Sequence, residues 1–168
     1  MHPDSGRKPI DAAFARELRA QLPAAVGVVT TRHGDELHGV TVTALLVASH
    51  IPPRVVVCLE RPSRSAELVA ASGVFAVHAL SWSQMFLADR FAGRAPLVDP
   101  RFGGVPHRSG VTGAPLLANA LAWLECRVVA AWPAGDHVVF LGEVVAAEAA
   151  DGGDALVHFR RHYDRLPG

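Results

Sequence analysis

Apolar runs rich in Val and other β-branched residues, interrupted by short turn segments, make up most of the chain. Such runs predict β-strands, and the turn segments contain the Gly, Pro and Asp residues that end strands. The predicted strands are residues 25–31, 37–49, 54–60, 74–80, 121–132 and 137–147. Because strands and helices do not alternate regularly, the pattern favours an antiparallel barrel with helical additions over a parallel sheet.

Three segments have the features of short helices. An apolar residue recurs every four positions between Asp11 and Pro23, which predicts a helix that Pro23 ends. Residues 65–72 predict a second helix, and residues 81–90 begin with the spacing of a capping box. Residues 93–115, which are rich in Gly and Pro, are predicted to form the one long loop.

Composition adds a prediction about domains and location. Half of the 168 residues are apolar and 19% are charged, so a chain of this length can bury a sizeable core as one domain. We expect residues 1–10 to be a disordered leader and residues 11–168 to be the domain. The sequence contains no run of about 20 apolar residues that could span a membrane. The apolar surplus therefore favours a buried subunit interface. The N-terminus lacks the apolar core of a signal peptide, so a cytoplasmic location is expected.

Charge and missing motifs exclude several classes of function. Sixteen basic and sixteen acidic residues give a net charge of zero with no basic block, so nucleic-acid binding is not expected. The motifs of a Rossmann site, a P-loop, a zinc protease and a nucleophile elbow are missing. Asp154, His158 and His162 would align only on a helix without supporting ligands, so no metal site is predicted. Cys58 and Cys126, each in an apolar run, are expected to be reduced thiols.

Two short segments carry candidate chemistry. Residues 61–65 place Arg61, Ser63 and Ser65 at the start of a predicted helix, where hydroxyls, guanidiniums and free amides can bind a phosphate. The alternative is an ordinary serine N-cap with exposed arginines. Residues 41–45 alternate small hydroxyl residues on a strand, which leaves the backbone accessible to a planar ligand. The alternative there is an ordinary half-buried strand.

The order of these segments resembles the flavin-reductase-like family, whose members form the reductase components of two-component flavin monooxygenases. The resemblance runs from about residue 14 to residue 166, which is nearly the whole chain. It rests on AVGVVTT at 25–31, GVTVTALLVASHIPP at 39–53, VVVCLERPSRS at 55–65, FAVHALS at 75–81, LADRFA at 87–92, GDH with VVFLGEV at 135–144, and FRRHY at 159–163.

The resemblance implies a mainly β fold with short helices, an antiparallel split β-barrel of the FMN-binding type. It also implies a homodimer with flavin in a groove near the subunit interface. His137 matches a histidine that family members place near the nicotinamide, so it is the predicted catalytic residue, with a positioning or proton-managing role. The implied cofactor-binding residues are Thr41, Val42, Thr43, Ala44, Leu45, Ser49, Cys58, Leu59, Glu60, Arg61, Ser63, Ser65, Arg160 and Tyr163.

Some positions depart from the family's usual residues. His78 stands where Asn is frequent, which puts a specific amide contact to flavin in doubt. Leu45 and Leu46 replace smaller residues, so the groove is expected to be more apolar. The common Arg-Gly-Arg-Tyr tail is replaced by the segment Arg160 to Tyr163.

The activity implied by the resemblance is an NAD(P)H-dependent flavin reductase. A hydride would pass from NADH or NADPH to FMN or FAD, and the reduced flavin would supply a partner monooxygenase. The cofactors carry this chemistry, which agrees with the lack of a catalytic triad in the sequence. Two alternatives remain open: a flavin-dependent oxidase that acts on an organic substrate, and a non-catalytic flavin-binding protein.

Overall fold

The computed structural model describes residues 10–95 and 102–168. Strands predominate, as the sequence predicts, and the predicted leader lies outside the described residues except for Ile10. The elements in chain order are α1 (Ala12–Ala20), β1 (Ala24–Ala25), β2 (Gly27–His33), β3 (Glu36–Val42), β4 (Leu45–His50), β5 (Pro53–Glu60), α2 (Arg64–Ser72), β6 (Val74–Ala79), a 3₁₀ turn (Trp82–Gln84), α3 (Met85–Phe91), β7 (His107–Ser109), β8 (Pro115–Leu117), β9 (Ala122–Ala134), β10 (His137–Ala149), β11 (Ala155–Phe159) and β12 (His162–Leu166).

Local signals explain where the helices begin and end. The Asp11 side chain caps α1 by accepting a hydrogen bond of 2.8 Å from the N–H of Phe14. Ser63 caps α2 through its hydroxyl, and Gly73 ends that helix with φ 68°. No helix among the described residues is long and apolar enough to cross a membrane.

Seven strands form the main antiparallel sheet, in the order β3-β2-β6-β9-β10-β5-β4. The two edge strands, β3 and β4, are joined in the chain by Thr43 and Ala44 alone. Three peptide units reach about 11 Å at most, whereas the edges of a flat seven-stranded sheet lie about 30 Å apart. The sheet therefore curls until its edges approach each other at this connection, which gives an open barrel.

The prediction of one continuous strand over residues 37–49 is thus wrong, because two separate strands, β3 and β4, occupy this segment. β3 ends where Val42 pairs with Gly27 of β2, and β4 begins where Leu45 pairs with Val57 of β5. The connection between them carries the chain from one edge of the sheet to the other. Both halves are extended and apolar without Gly or Pro at the corner, so the local sequence contains no sign of the break.

One other prediction needs correction. The long loop predicted at residues 93–115 includes β7 and the first residue of β8, which pair with each other; residues 96–101 of that loop lie outside the described part. The C-terminal segment forms the hairpin β11–β12, so His158 and His162 lie on strands and do not share a helix face with Asp154. Cys58 and Cys126 are free thiols, as predicted.

The curled sheet encloses one apolar core and packs a second one against its outer side. β2 contributes to both, since Val29 points into the first and Val28 into the second, as alternation along a strand requires. The first core also takes side chains from β5, β6, β10 and α2, including Phe75 and Phe140. The second takes side chains from α3, β8 and β11, including Phe91. This packing holds α2 and α3 on either side of β3.

Candidate functional site

A cavity of about 430 Å³ opens at the corner where the two edges of the main sheet approach each other. Strands β3, β5 and β10, the β3–β4 connection, the first turn of α2 and the end of α3 form its walls. The lining residues are His38, Val40, Thr41, Val42, Thr43, Ala44, Cys58, Leu59, Glu60, Ser63, Arg64, Ser65, Phe91, Ala92 and His137. A larger cavity of about 510 Å³ next to Trp123 contains none of the predicted site residues.

The first wall is the outer edge of β3. Because β3 pairs only with β2 in the main sheet, the other edge of its backbone faces the cavity. The hydroxyl of Thr41 donates to the carbonyl of Ala88 at 2.6 Å, and the hydroxyl of Thr43 accepts from the Arg19 guanidinium. These hydroxyls therefore anchor β3 to α3 and the β3–β4 connection to α1. The backbone is the part of this wall that a planar ligand can reach.

The second wall is the end of β5. The N–H of Cys58 donates to the carbonyl of Ala44 at 3.0 Å, which ties this wall to the β3–β4 connection. Burial raises the pKa of the Cys58 thiol, so the thiol stays protonated at neutral pH. Leu59 and Glu60 continue the wall, and Glu60 pairs with His137 across the sheet.

The first turn of α2 closes one end of the cavity. The Ser63 hydroxyl accepts from the N–H of Ala66 at 3.2 Å, and the Ser63 carbonyl accepts from Glu67. The N–H groups of Arg64 and Ser65 have no acceptor within the helix, as is general for a first turn. Ser63 is therefore an N-cap, which was one of the two interpretations of this segment. The same turn also lines the cavity, as the other interpretation, a phosphate-binding site, requires.

The positive charge of Arg64 at this end is already paired with carboxylates. The Arg64 guanidinium bonds the Glu36 carboxylate through two nitrogens and also contacts Glu67 at 3.3 Å. The hydrogen bond from Arg64 lowers the pKa of Glu36. Because two carboxylates share this guanidinium, an anion in the cavity meets little net positive charge from Arg64 and depends on neutral hydrogen-bond donors.

His137 also lines the cavity, at the first position of β10. Its Nδ1 lies 2.7 Å from the Asp136 carboxylate, and this hydrogen bond lowers the pKa of Asp136. Arg61 holds the preceding turn, since its N–H donates to the carbonyl of Asp136 at 2.9 Å and its Nε to that of Gly135 at 3.1 Å. With Nδ1 engaged, Nε2 is the ring nitrogen of His137 that remains for a ligand.

Five lining residues are not among the predicted site residues, although Arg64 belongs to the segment 61–65 that was predicted to bind a phosphate. They are His38, Val40, Arg64, Phe91 and Ala92. His38 and Val40 lie on the same face of β3 as Val42, so the period of two along a strand could have identified them. Phe91 and Ala92 end α3, which reaches the cavity only through tertiary packing.

The model of the flavin reductase like domain family matches residues 18–167. The chain belongs to this family. Its curated relatives include "FMN reductase (NADH) RutF" of Stutzerimonas stutzeri strain A1501, 36% identical over 151 residues that cover 90% of this chain and 86% of that protein. "FMN reductase (NADH) RutF 2" of Rhizobium rhizogenes strain K84 is 40% identical over 151 residues, covering 90% and 87%.

Solved structures of flavin reductases share the fold. BorF, the flavin reductase component of a bacterial two-component tryptophan halogenase, has a TM-score of 0.86 and 34% identity, and the match covers 94% of this chain and 99% of BorF. SgcE6, an NADH:FAD oxidoreductase of Streptomyces globisporus C-1027, has a TM-score of 0.88 and 32% identity, with 99% and 100% covered. The split-barrel class implied by the resemblance is thus confirmed.

Five of the residues predicted from the flavin reductase resemblance lie outside the cavity lining. The Leu45 side chain packs against Gly27, so closely that a Cβ added to Gly27 would collide with the leucine. Arg160, in the β11–β12 turn, donates from Nε to the Gln21 side chain at 3.2 Å. Tyr163 lines a neighbouring cavity of about 340 Å³ with Arg94. Ligand contacts from these residues stay predictions, as do those from the remaining two, Ser49 and Arg61.

His78, the departure from the common flavin reductase pattern, lies in the core and not at the cavity. Its side chain is fully buried, with Nδ1 3.1 Å from the carbonyl of Val28. Burial lowers the pKa of His78 to about 4, so the ring is neutral at physiological pH. The substitution therefore affects how β6 is held and leaves the cavity wall unchanged.

Proposed function

We propose that this protein is an NAD(P)H:flavin oxidoreductase that binds FMN or FAD in the cavity at the sheet corner and reduces it. Family membership over residues 18–167 and relatives named as NADH-dependent FMN reductases support the activity. The observation that carries the assignment of the site is the cavity itself, where an edge strand, a helix N-terminus and a histidine converge. At about 430 Å³ it falls within the range of small-molecule sites, about 300–1,000 Å³.

The residues in the walls fit a flavin. The exposed backbone edge of β3, with Thr41, Val42, Thr43 and Ala44, would bond the polar rim of the isoalloxazine ring. Cys58, Leu59 and Glu60 would form the facing wall. The hydroxyls of Ser63 and Ser65, with the free N–H groups of the first turn of α2, would hold the phosphate.

The bound cofactors supply a two-electron hydride transfer from nicotinamide to flavin, and this chemistry needs no protein nucleophile. The protein contributes position, because holding two reactants in line can lower a barrier by about 7–11 kcal/mol at the upper end. His137 would meet the nicotinamide through Nε2, while Asp136 and Arg61 fix the ring and its turn. The hydroxyls of Thr41 and Thr43 hold the β3 wall in place for the flavin.

Supply of reduced flavin to a separate monooxygenase is part of the proposal. BorF is the reductase component of a two-component tryptophan halogenase, and a structure of nitrilotriacetate monooxygenase component B from Mycobacterium thermoresistibile matches with a TM-score of 0.86 and 29% identity over 94% of this chain and 87% of that one. Both neighbours work with a second component. We extend that arrangement to this protein.

The homodimer is proposed on an exposed apolar area of the sheet. Val129 and Trp132 on β9, Val145 on β10, and Leu46 and Val47 on β4 are all more than 40% exposed in the single chain. These strands lie on the same half of the sheet, in the order β9-β10-β5-β4. Exposure of several large apolar side chains on these neighbouring strands supports an interface at this part of the sheet.

The test of function is an assay of NADH or NADPH oxidation with and without added FMN, FAD or riboflavin. The oxidation is measured as the loss of the nicotinamide absorbance. The proposal expects turnover that depends on flavin. Flavin binding without any nicotinamide oxidation would favour a flavin carrier. Bleaching of the bound flavin by an organic substrate, but by neither nicotinamide, would favour a flavin-dependent oxidase.

A further inference from the structure

His38 and Ser65 connect the cavity wall on β3 to the first turn of α2. We propose that His38 is a positioning residue, which directs the Ser65 hydroxyl to donate a hydrogen bond to the terminal phosphate of the flavin. This inference rests on the proposed function, since it assigns a residue within the same site. The sequence resemblance implied Ser63 and Ser65 at this position but gave no role to His38.

The geometry ties the two side chains closely. Nε2 of His38 lies 2.8 Å from Oγ of Ser65, and Ser65 is only 6% exposed. Glu36, two positions earlier on the same face of β3, bonds Arg64, the residue before Ser65. Glu36 and His38, neighbours on one face of β3, therefore hold the adjacent residues Arg64 and Ser65 of α2.

The direction of the His38–Ser65 hydrogen bond decides what the hydroxyl can offer to a ligand. A serine hydroxyl has one proton, and each ring nitrogen of a neutral histidine either donates or accepts. If Nε2 accepts, the Ser65 proton is used up and the cavity meets only oxygen lone pairs, which repel phosphate. If Nε2 carries a proton and donates, the Ser65 proton is available to the phosphate. An anion in the cavity therefore selects the form in which His38 donates.

This orientation matters because strong positive charge is scarce at this end of the cavity. The Arg64 guanidinium is shared between Glu36 and Glu67, so most of its positive charge and N–H donors are already engaged. Recognition then depends on the Ser63 and Ser65 hydroxyls and on the first-turn N–H groups. A serine that points its lone pairs at the phosphate would remove one of these few donors.

The experiment compares FMN with riboflavin, which has the same ring and side chain but no phosphate. Dissociation constants for both are measured by flavin fluorescence for wild type, His38→Leu, His38→Gln, Ser65→Ala and the double variant His38→Leu/Ser65→Ala. His50→Leu is the matched control, because His50 is exposed at the end of β4 away from the β3–β4 connection and does not line the cavity. Riboflavin affinity reports whether each variant keeps an intact ring site.

We expect His38→Leu and Ser65→Ala each to reduce the preference for FMN over riboflavin by roughly ten- to a hundredfold, the scale of one hydrogen bond to a charged group. The double variant should lose no more than Ser65→Ala alone, because His38 acts through Ser65. His38→Gln should keep most of the preference, since its amide N–H can donate in place of Nε2. His50→Leu should match wild type.

Other outcomes overturn the inference in distinguishable ways. Full FMN preference in His38→Leu, or additive losses in the double variant, would show that His38 does not act through Ser65. Equal losses for FMN and riboflavin would show that His38 only supports the fold of the cavity. If wild type binds flavin and turns over without preferring FMN to riboflavin, the phosphate assignment is wrong; if wild type binds neither flavin, the proposed function itself fails.

Discussion

The backbone N–H of Leu117 donates to Nε2 of the buried His78 at a distance of 3.0 Å. Since Nε2 accepts, the proton of the neutral ring is on Nδ1, which donates to the carbonyl of Val28 at 3.1 Å. One imidazole thus joins β6 to β2 and β8 by satisfying two backbone groups. A charged ring would lose the first of these bonds, because a protonated Nε2 cannot accept.

This arrangement predicts an acid-sensitive contribution to stability. The unfolded chain takes up a proton on His78 below about pH 6.5, whereas the folded protein resists until the pKa of about 4 is reached. The unfolded state therefore binds more protons in this window, and stability falls as pH falls through it, by up to about 3 kcal/mol from this group. Below the folded pKa the loss stops growing.

Urea unfolding of wild type and His78→Asn at neutral pH and at about pH 5 measures the effect. Asn keeps one donor and one acceptor but does not titrate, so the variant should lose less stability than wild type between the two pH values. An equal pH dependence in both proteins would show that other groups cause the acid sensitivity.

Replacement of His137 should slow hydride transfer and leave flavin binding nearly unchanged. The side chain lines the cavity with Nδ1 bound to Asp136, and its proposed contact is to the nicotinamide. Loss of one positioning contact of about 1.4–2.8 kcal/mol lowers the rate about ten- to a hundredfold. Stopped-flow reduction of prebound flavin in His137→Ala, beside a flavin titration, measures both quantities, with His50→Ala as the control. A wild-type rate would make His137 a surface residue without a role in the reaction.

Removal of both serine hydroxyls at the start of α2 should weaken FMN far more than riboflavin. Ser63→Ala also removes the cap of α2, with an expected loss of about 1 kcal/mol in the free energy of unfolding. Binding titrations of Ser63→Ala/Ser65→Ala with the two ligands, and an unfolding curve for Ser63→Ala, measure these effects. Parallel weakening of both ligands would point to damage of the fold instead of a lost phosphate contact.

Gly110 should not tolerate a side chain. Its position is directly against the carboxylate of Glu125, which is fully buried and accepts from the N–H of Val111 at 2.9 Å. A methyl group at Gly110 would displace this carboxylate, so Gly110→Ala is expected to cost about 1–3 kcal/mol in the free energy of unfolding. Gly152→Ala is the control, because an added Cβ there meets no atom within 4 Å. Similar unfolding midpoints for the two variants would contradict the clash.

Trp132→Glu should disrupt the proposed homodimer. Trp132 is 45% exposed in the single chain and belongs to the apolar area on β9, β10 and β4. A permanent pair should bury more than about 2,000 Å² in total, and a charge placed within it should favour the monomer. Sedimentation at micromolar concentration measures the oligomeric state of both proteins. Wild type that sediments as an active monomer would refute the dimer.

Local sequence was sufficient for most of the secondary structure. Asp11, Ser63 and Gly73 mark helix ends through hydrogen bonds and backbone angles that involve only near neighbours in the chain. The β-branched runs predicted strands because their side chains fit an extended, half-buried backbone whatever their partners are. The segments around Thr41, Cys58 and Ser63 could likewise be selected as site candidates, since their chemistry lies within a few residues.

Tertiary structure alone decided which of these segments meet. The break between Val42 and Leu45 exists because β3 and β4 pair with different strands at opposite edges of a curled sheet, and pairing is a long-range choice. That curl brings β3 beside the first turn of α2, so that His38 reaches Ser65, 27 positions away in the chain. Arg61, a predicted phosphate ligand, also bonds the turn before His137. Each of these contacts depends on the path of the backbone between distant residues, which no local pattern of side chains encodes.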